Sequence, residues 1–447
     1  MSAPHIHVAG VGGVGMSALA ELLLARGYRV TGSDRTLDQG GTSEAVEILK
    51  AAGLQVVPQD GAALTASTEA LAVSTAIEPD NPELLAAQRL NIRVVHRAAL
   101  LAEQARGAKV IAVTGTAGKT TVTALVGWLL EQAGFDPTVV NGGIVLDWRG
   151  AARLGNVRVG RSGWWVLEAD ESDRSLLNFH PAHAIITNIS KDHFELDEVQ
   201  RLFRSFAAQV QGDIVAGPGV GAVIGRAVRE PATAIVPTPD GWTFEHEGAR
   251  YVTRMPGRHN AENALLAVAL CLRMGAAADR LRDALARFGG VHRRLEVVGG
   301  FRGARVIDDY AHNPAKIAAS WCAVREGSRR VLGYWRPHGF APLALMHDEL
   351  VDALAGAMGP DDRLFVLPVF YAGGTANRKI DAGDFVASLL KRGVSAEVVP
   401  DYATLRARLE AEIQTGESIL GMGARDPELP RFARALAADP ASPTPDT

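Results

Sequence analysis

The sequence predicts an α/β protein of three domains, the central one built around a phosphate-type loop. Three observations carry that expectation. Short apolar runs alternate with helical stretches along the chain, the pattern of parallel sheets crossed by helices. Two of those runs break into glycines just before a helix. The chain's 447 residues also exceed what one hydrophobic core ordinarily serves.

The first block opens with the apolar run 5–9, a glycine loop, a helix to about Arg26 and a second strand at 28–31. Strand-like runs at 71–74 and 92–95 continue the alternation. A polar stretch, 103–109, reads as a hinge into the second block, which starts at 110–113 with a phosphate-type loop and a helix from about Thr120. Runs at 164–167 and 184–187 and a long amphipathic helix near 261–273 belong to it, and 289–294 forms the next connection. The third block has strand candidates at 305–307, 330–332, 364–367 and 396–399. The expected domains are therefore 1–106, 107–296 and 297–437, followed by a Pro-rich tail, 438–447, expected to be disordered.

Composition narrows the function. A hydrophobic share of 47% and a charged share of 21% are ordinary for a soluble globular chain. Forty-six basic residues against 50 acidic ones give a net charge of −4, so no basic field awaits nucleic acid or anionic lipid, and phosphate binding must be local. The two cysteines, Cys271 and Cys322, stand in apolar helical surroundings and read as small buried residues, not a disulfide framework. The N-terminus lacks the features of a signal peptide, and no apolar stretch is long enough to span a bilayer, so no membrane insertion and a cytoplasmic location are expected.

The sharpest motif is Thr114-Gly-Thr-Ala-Gly-Lys-Thr-Thr121. A buried strand that breaks into glycines before a helix leaves backbone N–H groups pointing outward, and with the helix dipole they form an anion site. Gly115, Thr116, Gly118 and Thr121 supply that loop. Lys119 adds a mobile charge for β- and γ-phosphates, and the Thr120 hydroxyl can ligate Mg²⁺. Val113 stands where the full phosphate-loop spacing has its first glycine. Glu168-Ala-Asp-Glu-Ser-Asp173 follows the run 164–167 directly, placing carboxylates at the carboxyl end of a strand, where α/β sheets bind ligands. Such hard oxygen donors suit Mg²⁺. His193, in Asn188-Ile-Ser-Lys-Asp-His193, is a candidate for a second Mg²⁺ beside them.

The N-terminal Gly10-Val-Gly-Gly-Val-Gly15, with Asp34 after the second strand, fits a dinucleotide fingerprint. An NAD site, another nucleotide diphosphate, or close helix–strand packing all remain open on that motif. His259-Asn-Ala-Glu-Asn263 begins a helix, where Asn260 and Asn263 either hydrogen-bond an adenine edge or cap the helix. In Asp308-Asp-Tyr-Ala-His-Asn-Pro314, Asp308 and Asp309 either hold ribose hydroxyls or form a turn.

From Gly10 to about Gly423, the order of these motifs resembles the Mur ligase family, which builds the peptide of bacterial peptidoglycan. The resemblance implies a Rossmann-like N-terminal UDP-binding domain, a central P-loop-type ATPase domain and a Rossmann-like C-terminal domain that takes the amino acid. It implies ATP and Mg²⁺ as cofactors, with Lys119, Glu168 and His193 catalytic and Thr120, Glu168 and His193 on the metal. Asn260, Asn263, Arg294, Asp308 and Asp309 match the nucleotide-binding motifs. Gly10, Gly12, Gly13, Gly15, Met16, Ser17 and Asp34, together with Ser74 and Ala76, resemble the UDP-sugar site of the branch that adds L-alanine to UDP-N-acetylmuramate. The branch that recycles cell-wall tripeptide shares the same plan. Ala208 stands where later-step ligases carry a carbamylated lysine, which favours these two branches.

For the amine donor, His312, Arg336 and His338 are the candidates. The alanine-adding branch carries a Pro-His-Arg-Tyr-Thr-Arg-Thr-like loop, but this chain reads Arg336-Pro-His-Gly-Phe-Ala-Pro-Leu343, with Gly339 and Pro342 or their neighbours in place of its arginines. Losing a bidentate carboxylate clamp changes how an amino acid is held, so the donor stays open between L-alanine, a similar amino acid and a tripeptide. The expected partners are a UDP-N-acetylmuramate-type substrate and an amino acid, without nucleic acid, on a monomer or homodimer. A catalytically inactive nucleotide-binding regulatory protein is the alternative of another class.

Overall fold

Strand β1, His5–Ala9, is apolar enough to be buried along its whole length and runs straight into Gly10. Around it the computed structural model, which describes residues 3–190, 195–238, 241–371 and 380–438, builds a parallel sheet with β2 (Arg29–Ser33), β3 (Gln55–Val56), β4 (Thr68–Val73) and β5 (Arg93–His96). Its order is β3-β2-β1-β4-β5, with His5 opposite Arg29 and Ala9 opposite Ser33. The chain therefore reverses direction across the sheet between β1 and β4, the place where such folds leave a crevice. Four of the strands fall close to the runs read from sequence; β3, only two residues long, has no pattern to read.

The second sheet holds β6 (Lys109–Thr114), β7 (Thr138–Val140), β8 (Val157–Arg158), β9 (Trp164–Glu168), β10 (His183–Ile186) and β11 (Ile214–Ala216), in the order β11-β10-β6-β9-β7-β8. Only β8 pairs antiparallel. A three-stranded sheet of β12 (Ile235–Thr238), β13 (Gly241–His246) and β14 (Ala249–Thr253) follows, which the sequence reading passed over. The third large sheet runs β15-β16-β20-β17-β18-β19, from Glu296–Phe301, Ala304–Asp309, Val331–Trp335, Arg363–Val366, Ala396–Val398 and Ser418–Met422, the last being β20. Val331 and Trp335 enter one core while Leu332 and Tyr334 enter another, so this sheet is covered on both faces.

By compactness the described residues form two units. The first spans Met1–Val236, Thr243–Thr253 and Ala261–Val291; the second spans Pro237–Trp242, Arg254–Asn260 and His292–Thr447. Within the first unit the polar stretch 103–109 does not separate two cores. Ala18 and Leu22 of helix Val14–Ala25 are buried together with Ala105, Trp165, Leu167 and Phe203. Apolar packing continues across the stretch expected as a hinge, because that helix is apolar around most of its circumference and needs cover on its far side. A correction also applies to the cysteines: Cys271 is buried, but Cys322 lies on the exposed face of helix Pro314–Arg325. Among the described residues no helix is long and apolar enough to cross a membrane. The tail 439–447 lies outside the described residues.

Glu21 gives the first unit a pH dependence. It sits on helix Val14–Ala25 with one oxygen accepting from Leu154 N–H at 3.2 Å and the other buried without a partner among the described residues. Burial pushes its carboxyl up to about 7, against the opposing pull of the Leu154 N–H and Arg153. A carboxyl raised on folding contributes stability below its unfolded pKa and loses it as pH rises through the folded value. Unfolding in urea should therefore show a loss on the order of 1–3 kcal/mol between pH 5 and pH 8 that Glu21→Gln removes. An unchanged slope in the variant would refute the assignment.

Candidate functional site

Strand β6 lies between β9 and β10, so the carboxyl ends of three neighbouring strands converge. From β6 the loop Gly115–Gly118 leads into helix Lys119–Gln132. Gly118, which caps that helix, has φ of 84°, a left-handed conformation that favours glycine, and a Cβ there would meet Asn263 Oδ1 at 2.7 Å. Asn263 thus flanks the loop.

Residues after β10 pin the loop. Asn188 accepts through Oδ1 from the Thr116 hydroxyl at 2.5 Å and from Ala117 N–H at 3.1 Å, and donates to Ala117 O at 3.0 Å. The Thr187 hydroxyl also donates to Ala117 O, at 2.5 Å. Asn188 opens the motif that held His193 and Thr187 ends the run before it, but nothing in their spacing showed which loop they would clasp. His193 itself lies outside the described residues.

From β9 comes the acidic loop. Glu168 ends the strand, accepts from the Thr120 hydroxyl at 3.0 Å and from Gly142 N–H at 2.7 Å, and so joins the start of the helix to the end of β7. Lys119 Nζ donates to Glu171 at 2.6 Å and to Gly115 O at 2.9 Å, with Asp170 at 3.7 Å. Burial alone would lower the Lys119 pKa, but Glu171, Asp170 and Glu168 outweigh it and hold the ammonium above its ordinary value. Lys119 is therefore charged at neutral pH and parked on carboxylates. Glu171 is the residue sequence reasoning missed: it stood inside the quoted acidic motif, but one string of four carboxylates does not say which faces the lysine.

At the first glycine loop, Gly10 has φ of 69° and Gly12 N–H donates to Asp34 Oδ2 at 3.0 Å. Asp34 also accepts from Thr36 N–H at 2.9 Å, so it both closes the loop and caps the next helical turn. Gly13 and Gly15 open helix Val14–Ala25. Met16 is a core side chain, 3% exposed, and the Ser17 hydroxyl donates to Val14 O at 2.9 Å, so both side chains turn inward from the loop. Ser74, just after β4, accepts from Ala76 N–H, and Ile77 beside them lies 3.5 Å from a Cβ built on Gly10. The Ser74–Ala76 turn and the glycine loop thus share the β1–β4 crevice.

In the second unit Asp308 and Asp309 end β16 with His312 just beyond, and Arg336 and His338 follow β17. Asp308 pairs with Arg293 at 3.0 Å, and Asp309 accepts from Leu295 N–H at 2.9 Å and Ala311 N–H at 2.7 Å. Burial pushes the Asp309 carboxyl up to about 6, opposed by Arg294 and those two N–H groups. Both Asp309 oxygens and Asp308 Oδ2 are thus engaged in fastening the turn before β15, while Asp308 Oδ1 is buried without a hydrogen-bond partner among the described residues. Arg294 and Arg293 both lie over the Tyr310 ring, at 5.6 and 5.3 Å. Asn260 donates to Pro256 O at 2.8 Å.

Arg336 is held by Asp426 at 2.5 Å and by Pro368 O at 3.0 Å, and lies 5.5 Å over Phe370, so this guanidinium is braced. His312 and His338 meet edge to face at 5.1 Å. Burial, then His312 and Arg425, press the His338 pKa down to about 4, which leaves its ring neutral at pH 7. After it, Phe340–Leu345 forms a helical turn in which Phe340 packs on Tyr371 at 6.0 Å.

Three family models match in chain order: one described as the Mur ligase catalytic domain over residues 5–109, the Mur ligase middle domain over 113–208, and the Mur ligase glutamate ligase domain over 293–425. A UDP-N-acetylmuramate–L-alanine ligase of Rhodopseudomonas palustris is 37% identical over 94% of this chain and 94% of its own length. Another, from Novosphingobium aromaticivorans, is 35% identical over 97% of this chain and 96% of its own. Among solved structures, the UDP-N-acetylmuramate–alanine ligase of Thermotoga maritima is 26% identical, with a TM-score of 0.79 over 97% of this chain and 98% of that one. A murein peptide ligase of Psychrobacter arcticus, 22% identical with a TM-score of 0.67 and covering 97% of this chain and 98% of that one, shares the fold.

Proposed function

The chain belongs to the Mur ligase family and is an ATP-dependent amide ligase of peptidoglycan precursor synthesis; from that premise we propose that it adds L-alanine to the carboxylate of UDP-N-acetylmuramate. The observation that carries the reading is the cluster of Lys119, Thr120 and Glu168 at the glycine loop of β6.

A carboxylate does not condense with an amine in neutral water until one of its oxygens becomes a leaving group. ATP transfers its γ-phosphoryl group to the muramate carboxylate, giving an acyl phosphate and ADP. The free amine then attacks the acyl carbon, phosphate leaves with the bonding pair, and the amine surrenders a proton to give the amide. Catalysis of phosphoryl transfer rests on positioning and charge neutralisation. The dipole of helix Lys119–Gln132 supplies a fixed positive cradle, while Asn188 holds the Thr116 and Ala117 N–H groups and so fixes the loop before it. Lys119 leaves Glu171 for the γ-phosphate, exchanging one ion pair for another.

The donor set fits Mg²⁺. Glu168 and Thr120 offer hard oxygens 3.0 Å apart, and Mg²⁺ is ordinarily held by one or two carboxylates plus substrate phosphates, not by an all-protein cage. Among the described residues no group of three or more His, Cys, Asp or Glu forms such a cage. Thr120 and Glu168, with His193, would hold the ion, which would neutralise charge on the transferring phosphoryl oxygens. We place the nucleotide-sugar at Gly10–Gly15, Asp34 and the Ser74–Ala76 turn, the adenine side at Asn263, and the amine donor near His312 and His338. Domain bounds of 1–106, 107–296 and 297–437 accompany this assignment. From its use of ATP and a nucleotide-linked acceptor we infer a cytoplasmic location.

A second reading, a tripeptide or another amine as donor, is favoured by the Phe340–Tyr371 contact in place of arginine clamps. The experiment that separates them is phosphate release from ATP with UDP-N-acetylmuramate, offering L-alanine, L-serine, glycine and cell-wall tripeptide in turn, with products identified by mass. L-Alanine is expected to give the fastest turnover. Turnover with tripeptide alone would replace it as donor, and silence with every amine would remove the ligase reading.

A further inference from the structure

The acidic loop that leaves β9 uses its charges in order, and its last carboxylate reaches the other glycine loop of the same unit. Glu168 takes Thr120 and Gly142, Asp170 and Glu171 take Lys119, and Asp173 takes Arg97 Nη2 at 3.0 Å. Asp173 is fixed by a second bond, accepting from Ser175 N–H at 2.9 Å, and its side chain is only 10% exposed. Arg97 opens helix Arg97–Gln104 just after β5. Its guanidinium lies against the first turn of helix Val14–Ala25: a Cβ built on Gly15 would stand 2.8 Å from Nη1 and 3.2 Å from Cζ. Any side chain at that position would push the arginine away from the loop. Ala18 and Leu22 of this helix share one core with Leu167 and Ala169 of the β9 end, so the two loops are set in common packing.

We propose that Arg97 is a positioning residue that joins the two phosphate loops through Asp173, so that a nucleoside diphosphate on the first and a nucleoside triphosphate on the second tighten one another. This rests on the nucleotide-sugar and ATP assignments made above. A planar guanidinium has donors on two edges. With one edge on Asp173 it can offer the other to a diphosphate oxygen at Gly15, and the anion then orders arginine and acidic loop together. The second nucleotide meets a loop already ordered and loses less conformational freedom on binding. Asp173 is two residues from Glu171, the residue that parks Lys119, so the ordering reaches the group that must be released.

The test is calorimetric titration of the full chain with UDP-N-acetylmuramate, with and without a saturating non-hydrolysable ATP analogue and Mg²⁺. Wild type is expected to bind the nucleotide-sugar about fivefold or more tightly with the analogue present, and linkage requires the same factor when the order of addition is reversed. In Arg97→Gln and, independently, in Asp173→Asn, the ratio should fall to about one, while affinity for the analogue alone shifts by no more than about twofold. Arg97→Lys keeps the charge but not the fork, and should recover only part of the ratio. Asp173→Asn removes one charge from a pair and serves if the arginine variant folds poorly. A wild-type ratio of one, or a wild-type ratio preserved in both variants, overturns the proposal. Wild type that binds neither nucleotide overturns the functional reading beneath it, and the two failures are distinct in the same data.

Discussion

Replacing Lys119 with alanine is expected to lower ATP-dependent phosphate release by at least ~10²–10³-fold, the usual cost of removing one preorganised charge from a developing anion. The geometry adds a second expectation. Glu171 pairs with Lys119 at 2.6 Å and its side chain is only 2% exposed, so the alanine variant strands a buried carboxylate. Thermal unfolding at neutral pH should therefore fall along with activity. The double variant Lys119→Ala with Glu171→Gln separates the two effects, because it removes the stranded charge and should recover stability without recovering turnover. Lys119→Ala at full turnover would sink the assignment of this loop to the γ-phosphate.

The other large effect lies in the second unit. Arg293→Ala should destabilise that unit by about 3–5 kcal/mol, the range for breaking a buried ion pair from one side. Asp308 is 1% exposed and accepts from Arg293 Nε at 3.0 Å, while the rest of the guanidinium donates to Gly423 O at 2.6 Å and Ala424 O at 3.3 Å. The arginine thus ties the turn before β15 to the ends of β16 and β20. It does so from a left-handed backbone, φ 55°, and Leu295 follows at 49°, positions that cost free energy unless surrounding bonds hold them. Arg293 N–H donates to Glu296 at 2.9 Å and Leu295 N–H to Asp309 at 2.9 Å, which supplies those bonds. Hydrogen exchange of β16 and β20 peptides should accelerate in Arg293→Ala and recover partly when Asp308→Asn is added. Unchanged exchange in the single variant would show that the pair is not what holds this turn.

Much of this protein was legible before any coordinates. The alternating runs located most strands of the three large sheets; β7, β8, β11 and β15 were missed along with β3, β12, β13, β14 and β20, for more than one physical reason. β3 is two residues long, and β12, β13 and β14 carry mixed polar residues on a half-exposed sheet. β20, Ser-Ile-Leu-Gly-Met, is buried throughout, yet five residues with a glycine in fourth place cannot be told from a turn by periodicity. Its place between β16 and β17 is a long-range pairing that no local pattern encodes. The phosphate loop was legible because glycines before Lys-Thr-Thr at a helix start have few other uses.

The sequence by itself determined which chemistry this chain is equipped for: a glycine-cradled anion site, a mobile lysine, and carboxylates at a strand's end, each set by residues adjacent in the chain. Tertiary structure decided which charge meets which. Lys119 to Glu171, Asn188 to the loop backbone, Arg97 to Asp173 and Arg293 to Asp308 join residues between 15 and 76 positions apart. Those choices depend on strand order and register, and an ion pair is a matter of a few ångströms that only the folded sheet can set.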